Sequence, residues 1–293
     1  MFIWGGTFIL GRLIVQDIAP IDAACWRFIV ASICLFILLA YREKICWPNK
    51  QQWFWIVILA LSGMVLFNIF LFVGLSMVDA GRAGLLSALT PIIGALASVV
   101  ILKQRLSARV WSGIIISIVG AIILVSDGQP SFILSQGIHL GDSLIISCGV
   151  AWVIYTLCIA RATQSMTILM ANAWASLVGA ILLGIMAYWR GELSSPFTLS
   201  LGGWTVSLYM GVLATTVGFV WYNNSVRRLG AAITLVFTNL VPVFAVLLGV
   251  FLLNETLSTA AMLGGSVVLL GVLLSTLPDN ISHYLGKISK NNR

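Results

Sequence analysis

The sequence predicts an all-α membrane protein of ten transmembrane helices, arranged as two five-helix repeats of opposite orientation. Three observations carry this reading. Of the 293 residues, 60% are hydrophobic and only 9% charged, whereas water-soluble domains carry roughly 25% charged residues. The few charges separate long apolar runs, and a spanning helix needs about 20 such residues at 1.5 Å rise each. Finally, the chain resembles itself at an offset of 151 residues.

The first two spans fall at 2–18 and 20–41, separated by a turn from Gln16 to Pro20, and each contains one arginine, Arg12 or Arg27. Runs free of Asp, Glu, Lys and Arg then extend over 52–78, 83–102, 110–126, 143–160, 162–189, 193–226, 229–254 and 256–278. Each supplies one span. The 193–226 run opens with Ser194, Ser195, Pro196, Gly202 and Gly203, the composition of a loop, which leaves a helix at about 203–224. Met1 is followed by neither a basic leader nor a small-residue cleavage site, so no signal peptide is expected.

Orientation follows from Lys and Arg in the loops. With the N-terminus cytoplasmic, the inner segments hold Arg42, Lys44, Lys50, Lys103, Arg105, Arg109, Arg161, Arg227, Arg228, Lys287, Lys290 and Arg293. Only Arg82 and Arg190 fall outside, alongside Asp17, Asp22, Asp79, Asp127, Asp142, Glu192 and Glu255. The net charge of +7 is therefore a topology signal beside anionic lipid rather than a nucleic-acid surface. Both termini are expected in the cytoplasm.

The self-similarity is sharpest between 80–91 and 231–242. At the same offset Leu106 and Ser107 fall on Leu257 and Ser258, Gly113 on Gly264, and Gly120 on Gly271; Trp4 falls on Trp152 at an offset of 148. An odd number of spans per repeat inverts the second copy. The loops agree, since 103–109 is strongly basic while its counterpart 254–260 holds Glu255 and no basic residue. The repeats are assigned to 1–127 and 137–277, with a basic cytoplasmic tail over 278–293. Inverted repeats are a transporter architecture with the solute site near mid-membrane between the halves.

Ala80, Gly84, Ser87, Pro91, Gly94 and Ser98 form one helical seam, repeated as Ala231, Leu235, Thr238, Pro242, Ala245 and Gly249. Pro91 and Pro242 remove the helix bonds to the carbonyls of Ser87 and Thr238 and are candidate hinges. Tight helix crossings with a tolerated kink explain the same residues. Gly113, Ser117 and Ala121 are read as helix packing.

These residues resemble the drug/metabolite transporter superfamily, specifically EamA-type proteins with two five-helix repeats. The resemblance rests on the stretch from Trp4 to Arg12, on Arg27 and Phe28, on 80–83 with 89–91, and on 240–242 followed by 253–257. It implies export or exchange of small metabolites by alternating access, commonly in the bacterial inner membrane. The chain departs from the pattern at Gln104, where the family often carries a glutamate matching Glu255.

Arg12 and Arg27 are the arginines set well inside spans, and burying such a charge costs at least ~2.5 kcal/mol. They either hold a substrate carboxylate or phosphate, or snorkel outward or pair with Asp17 or Asp22; the resemblance favours Arg12 as the one facing the solute. The candidate binding set is Trp4, Thr7, Arg12, Asn68, Thr90, Trp152, Tyr155, Tyr222, Asn223 and Asn239, a few polar groups among aromatic walls. Asn172, Asn224 and Trp174 lie in or near span ends as well. No acidic residue lies deep in a span, His139 falls in an outer loop and His283 in the tail, so proton coupling through a central carboxylate is disfavoured.

The five cysteines show no metal-ligand or disulfide spacing. No phosphate-binding loop or nucleophile motif is present either, so neither a metal, a cofactor nor an enzymatic activity is expected. The expected partners are a small-molecule substrate and the lipid bilayer, with homodimer formation open and nucleic acid excluded. Amino acids and related metabolites lead as solutes; an organic-anion or drug exporter is the alternative within transport, and a passive channel or intramembrane enzyme the alternative from another class.

Overall fold

The computed structural model describes residues 1–7, 10, 19–75, 77–78, 83, 86–129, 140–193, 200–253 and 258–277. Every regular element among them is helical. A helical stretch at 2–7 precedes α1 (Pro20–Arg42). α2 runs through Lys50–Leu59, a π-helical segment Ala60–Leu66, and Phe67–Leu75. α3 (Thr90–Ile101), α4 (Ala108–Val125), α5 (Leu140–Ala162) and α6 (Ile168–Trp189) follow. α7 joins Leu201–Leu208, a second π segment Tyr209–Val217, and Gly218–Leu229. α8 joins Ala231–Val236, a 3-10 turn Phe237–Asn239, and Leu240–Leu253, and α9 is Thr259–Thr276.

All of these except α3 and the 2–7 stretch are long and apolar enough to cross a membrane, which gives eight such helices among the described residues. Their ends are written in the sequence. Pro20 opens α1 in the first turn, Asn49 and Gln52 form a reciprocal capping box on α2, and Thr167, Ser200 and Ser258 cap α6, α7 and α9 through their side-chain oxygens. The outer surface is apolar: Ile37, Val100 and Phe251 are 65%, 74% and 78% exposed. An apolar belt of this extent suits hydrocarbon, not water.

The fourth span differs from expectation. Instead of one helix over 83–102, the chain turns at 88–89 and a new helix begins at Thr90. Three-residue hydrogen bonds from Leu89 to Leu86 and from Ile92 to Leu89 mark the break, and in α8 the 3-10 turn takes the corresponding place. Pro91 and Pro242 thus sit in the first turn of a restarted helix, where the missing N–H costs nothing, rather than at a kink within a continuous one.

Helices pack where small residues allow it. The most extensive pairing joins α4 and α9; α1 packs on α6 and on the π segment of α7, α2 on α5 and α6, and α3 on α8 and α5. At the α4–α9 crossing the glycines face the partner backbone. A Cβ on Gly113 would come within 2.6 Å of the Gly271 carbonyl oxygen, one on Gly120 within 2.8 Å of the Gly264 oxygen, and the reverse contacts are 2.7 Å. Asn239 on α8 ties into the same region by donating to Ser117 Oγ at 3.1 Å.

Candidate functional site

The polar side chains of the spans gather where α1, α2, α5, α6 and α7 meet the N-terminal stretch. The π segment of α7 sets part of this geometry. At its end the Gly218 N–H reaches Leu213, five residues back, and Thr215, so the Ala214 carbonyl is skipped. That carbonyl accepts the Trp4 indole N–H at 2.8 Å. Gly218 leaves room for the ring, since a Cβ there would meet Trp4 Nε1 at 2.8 Å.

One residue further along α7, Thr215 Oγ1 accepts from Arg27 Nε at 2.8 Å, and Asn68 Oδ1 lies 3.4 Å from Arg27 Nη1. Asn68 is held by donating to the Met64 carbonyl, 2.7 Å away. Arg27 is 7% exposed. The Phe28 ring lies beside it, with the guanidinium carbon 5.4 Å from the ring centroid. Among the described residues no carboxylate pairs with it, and Asp22 on the same helix does not serve. A buried guanidinium on two neutral acceptors keeps part of its donor fork available, the arrangement suited to a carboxylate or phosphate.

Aromatic rings line the neighbouring space. Trp152 on α5 lies 5.4 Å from Trp4, 5.1 Å from Tyr222, 5.4 Å from Phe219 and 5.1 Å from Phe67, and stacks on Tyr155 at 5.0 Å. Phe67 adjoins Asn68, and Ala214 adjoins Thr215. The contacts therefore close a ring: Arg27, Asn68, Phe67, Trp152, Trp4, Ala214, Thr215, and back to Arg27.

Further along α7, Tyr222 shares a 2.8 Å hydrogen bond with Thr156, and Asn223 Nδ2 donates both to the Tyr155 hydroxyl, 2.7 Å, and to Asn172 Oδ1, 2.9 Å. The Tyr155 hydroxyl donates to the same Asn172 oxygen at 3.1 Å. Among the described residues this triangle leaves Asn172 Nδ2 and Asn223 Oδ1 buried without partners, and nearby Ser176 Oγ is likewise buried and unpartnered. Reversing both amides preserves the triangle and again leaves one NH2 and one carbonyl oxygen free. Each unsatisfied buried group costs about 1–3 kcal/mol, so the site offers a donor and an acceptor to a polar guest.

The candidate residues divide accordingly. Trp4, Asn68, Trp152, Tyr155, Tyr222 and Asn223 come together. Thr7 bonds its own helix at the Trp4 carbonyl, Thr90 packs where a Cβ on Gly149 would meet its hydroxyl at 2.8 Å, and Asn239 serves the α4 contact. Arg12 lies outside the described residues. Thr215 and Thr156 were missed by sequence reasoning, and Asn172 was noted without being placed in the candidate set. The cue available was a hydroxyl or amide one or two helical turns from a candidate on the same face.

A comparison with family models now decides the lineage: the model described as the EamA-like transporter family matches residues 1–126 and again 139–277. The chain belongs to the EamA-like transporter family. It is a multi-pass membrane transporter of the drug/metabolite type, and several relatives extend over nearly its whole length. The uncharacterized transporter YyaM of Bacillus subtilis is 26% identical over 96% of this chain and 92% of its own. An uncharacterized transporter of Archaeoglobus fulgidus is 28% identical over 94% of both chains, and protein PagO of Salmonella typhimurium 27% over 95% and 90%. A solved crystal structure superimposes with a TM-score of 0.78 over 94% of both chains at 18% identity, which speaks for the fold alone.

Proposed function

We propose that this transporter carries a small organic solute bearing a carboxylate, an amino acid or related metabolite, by alternating access between two inverted five-helix repeats in a bacterial inner membrane, both termini in the cytoplasm. It acts as an exporter or exchanger. Arg27 is the observation that carries the reading. A guanidinium buried in a span with no carboxylate partner among the described residues is costly, and an anionic solute offsets that cost.

Support for the repeat comes from features that recur at nearly one offset. The π segments at Ala60–Leu66 and Tyr209–Val217 begin 149 residues apart, and the helix breaks before Pro91 and Pro242 correspond at 151. The packing pairs exchange in the same way: α4 with α9, α1 with α6 and α3 with α8 are each a helix and its counterpart. The proposed inverted pair provides two states of similar energy, the element that alternating access requires.

The test is a panel of amino acids and organic acids in thermal-shift and counterflow assays on purified protein in liposomes. Saturable exchange of a carboxylate-bearing solute is expected; flux that neither saturates nor exchanges would leave a channel. For the solute found, Asn223→Leu should weaken binding by about tenfold, the loss of one to two buried hydrogen bonds. An unchanged affinity would remove the amide triangle from the site.

A further inference from the structure

Two tryptophan pairs lie at opposite faces of the protein, related by the repeat. Trp53 and Trp174, 5.3 Å apart, join the start of α2 to α6 near the basic, inner face; Trp204 and Trp26, 5.4 Å apart, join the start of α7 to α1 near the outer face. Trp53 and Trp204 differ by 151 positions, and Trp26 and Trp174 by 148, the offsets of the repeat itself. The likeness extends to their chemistry. Among the described residues the indole N–H groups of both Trp26 and Trp174 are buried and find no partner, an arrangement that disfavours the present packing at both places.

The inner pair carries further ties between the two halves. Trp47, in the connection between α1 and α2, completes a triad at 5.6 Å from Trp53 and 5.1 Å from Trp174, and Phe36 meets Trp174 edge-on at 5.2 Å. In the same connection Glu43 Oε2 accepts from Thr167 Oγ1 at 2.6 Å, and in the first turn of α2 Gln52 Nε2 donates to the Ser165 carbonyl at 2.7 Å. The connection between α5 and α6 is thereby fastened to that between α1 and α2. Beneath the clasp the site is closed: Tyr222 is 4% exposed and Asn223 1%.

We infer that Trp47, Trp53 and Trp174, with Glu43–Thr167 and Gln52–Ser165, form the releasable inner latch of the transporter, and that Trp26–Trp204 is its outer counterpart. Opening toward the cytoplasm separates the α1–α2 connection from the α5–α6 connection and leaves the outer pair packed; opening outward does the reverse. The inference rests on the two-repeat, alternating-access reading but not on any solute class.

The test needs no solute. In a chain with its five cysteines replaced by alanine, Val226→Cys, 2% exposed at the inner end of α7, reports opening through labelling by a membrane-impermeant maleimide in inside-out vesicles. Trp174→Ala, and separately Glu43→Leu with Thr167→Val, should raise the labelling rate at least about fivefold, since a latch acts by shifting the closed population. Trp204→Ala should leave it unchanged or lower it. Size exclusion and melting confirm that each variant is folded. Folded inner variants that label at the parent rate overturn the inference, and so does an equal rise with Trp204→Ala, which would mean general loosening. A failure of solute binding in the separate panel leaves this labelling pattern intact.

Discussion

Replacing Arg27 with methionine is expected to abolish solute binding while leaving the empty protein as stable as before or more so. The two effects share one cause. Among the described residues the guanidinium is buried against neutral partners, Thr215 and Asn68, so an anionic solute supplies the compensating charge. Truncating one member of a buried charge pair costs about 2–5 kcal/mol, which corresponds to roughly 30-fold to several thousand-fold in affinity. Without solute, removing the buried charge relieves its desolvation, which offsets the hydrogen bond that Asn68 Oδ1 loses. Paired measurements separate the roles: affinity by solute titration, and melting temperature without solute. An arginine of purely structural use would show the opposite, a lowered melting temperature with binding intact in the molecules that remain folded. Arg27→Lys should restore little, because an ammonium cannot present the planar fork.

Gly271→Ala should be strongly damaging for so conservative a substitution, lowering stability by about 2–4 kcal/mol. Its Cβ would stand 2.7 Å from the Gly113 carbonyl oxygen and meet the Ser117 backbone on the facing helix. Backbone cannot yield as a side-chain tip can, so α4 and α9 must separate. Helix association in lipid depends on close van der Waals contact rather than on expelled water, and the separation forfeits contact along the whole crossing. The control is Gly184→Ala on α6, whose Cβ meets only Cys25 Sγ at 3.4 Å. There the gain in helix propensity, up to about 1 kcal/mol, should dominate and stability hold or rise. Equal melting of the two variants would show that the glycine crossing contributes little.

The helices were legible because bilayer thickness imposes one requirement, about twenty apolar residues, and charges rarely intrude. Nearly every described span lies within a few residues of its sequence estimate. What eluded the sequence were the places where backbone hydrogen bonding departs from the four-residue rule. Nothing in 60–66 or 209–217 announces a π segment by composition, since the extra residue is a matter of register. The break at 88–89 and the turn at Phe237–Asn239 were foreshadowed by Pro91 and Pro242, but a proline marks only the carbonyls it cannot serve and leaves open whether the helix kinks or restarts. In the site, the matched Trp4 and Trp152 pointed to the right neighbourhood. The partners of Arg27 did not declare themselves, because Thr215 and Asn68 come from distant helices and a lone hydroxyl in an apolar span is also commonly satisfied by its own backbone, as Thr216 is by the Gly211 carbonyl.

The two π segments also bear on how such a chain tolerates gain or loss of length. A π turn holds one residue more than the α-helix around it, so each segment is a stored insertion that the fold has accommodated without lengthening a loop. Deleting one residue from 209–217 would let α7 close into ordinary helix with the residues after it near their present places, so Tyr222 and Asn223 should keep Thr156, Tyr155 and Asn172. What would be lost is the skipped Ala214 carbonyl, which the restored helix would bond, leaving the Trp4 indole without its acceptor. A deletion in the α-helical part, between Gly218 and Tyr222, would instead turn everything after it by about 100°, and Asn223 would face another neighbour although composition would scarcely change. Within these helices, then, spacing is held by register and not by residue type, and the α-helical deletion should silence the transporter more completely than the deletion inside the π segment.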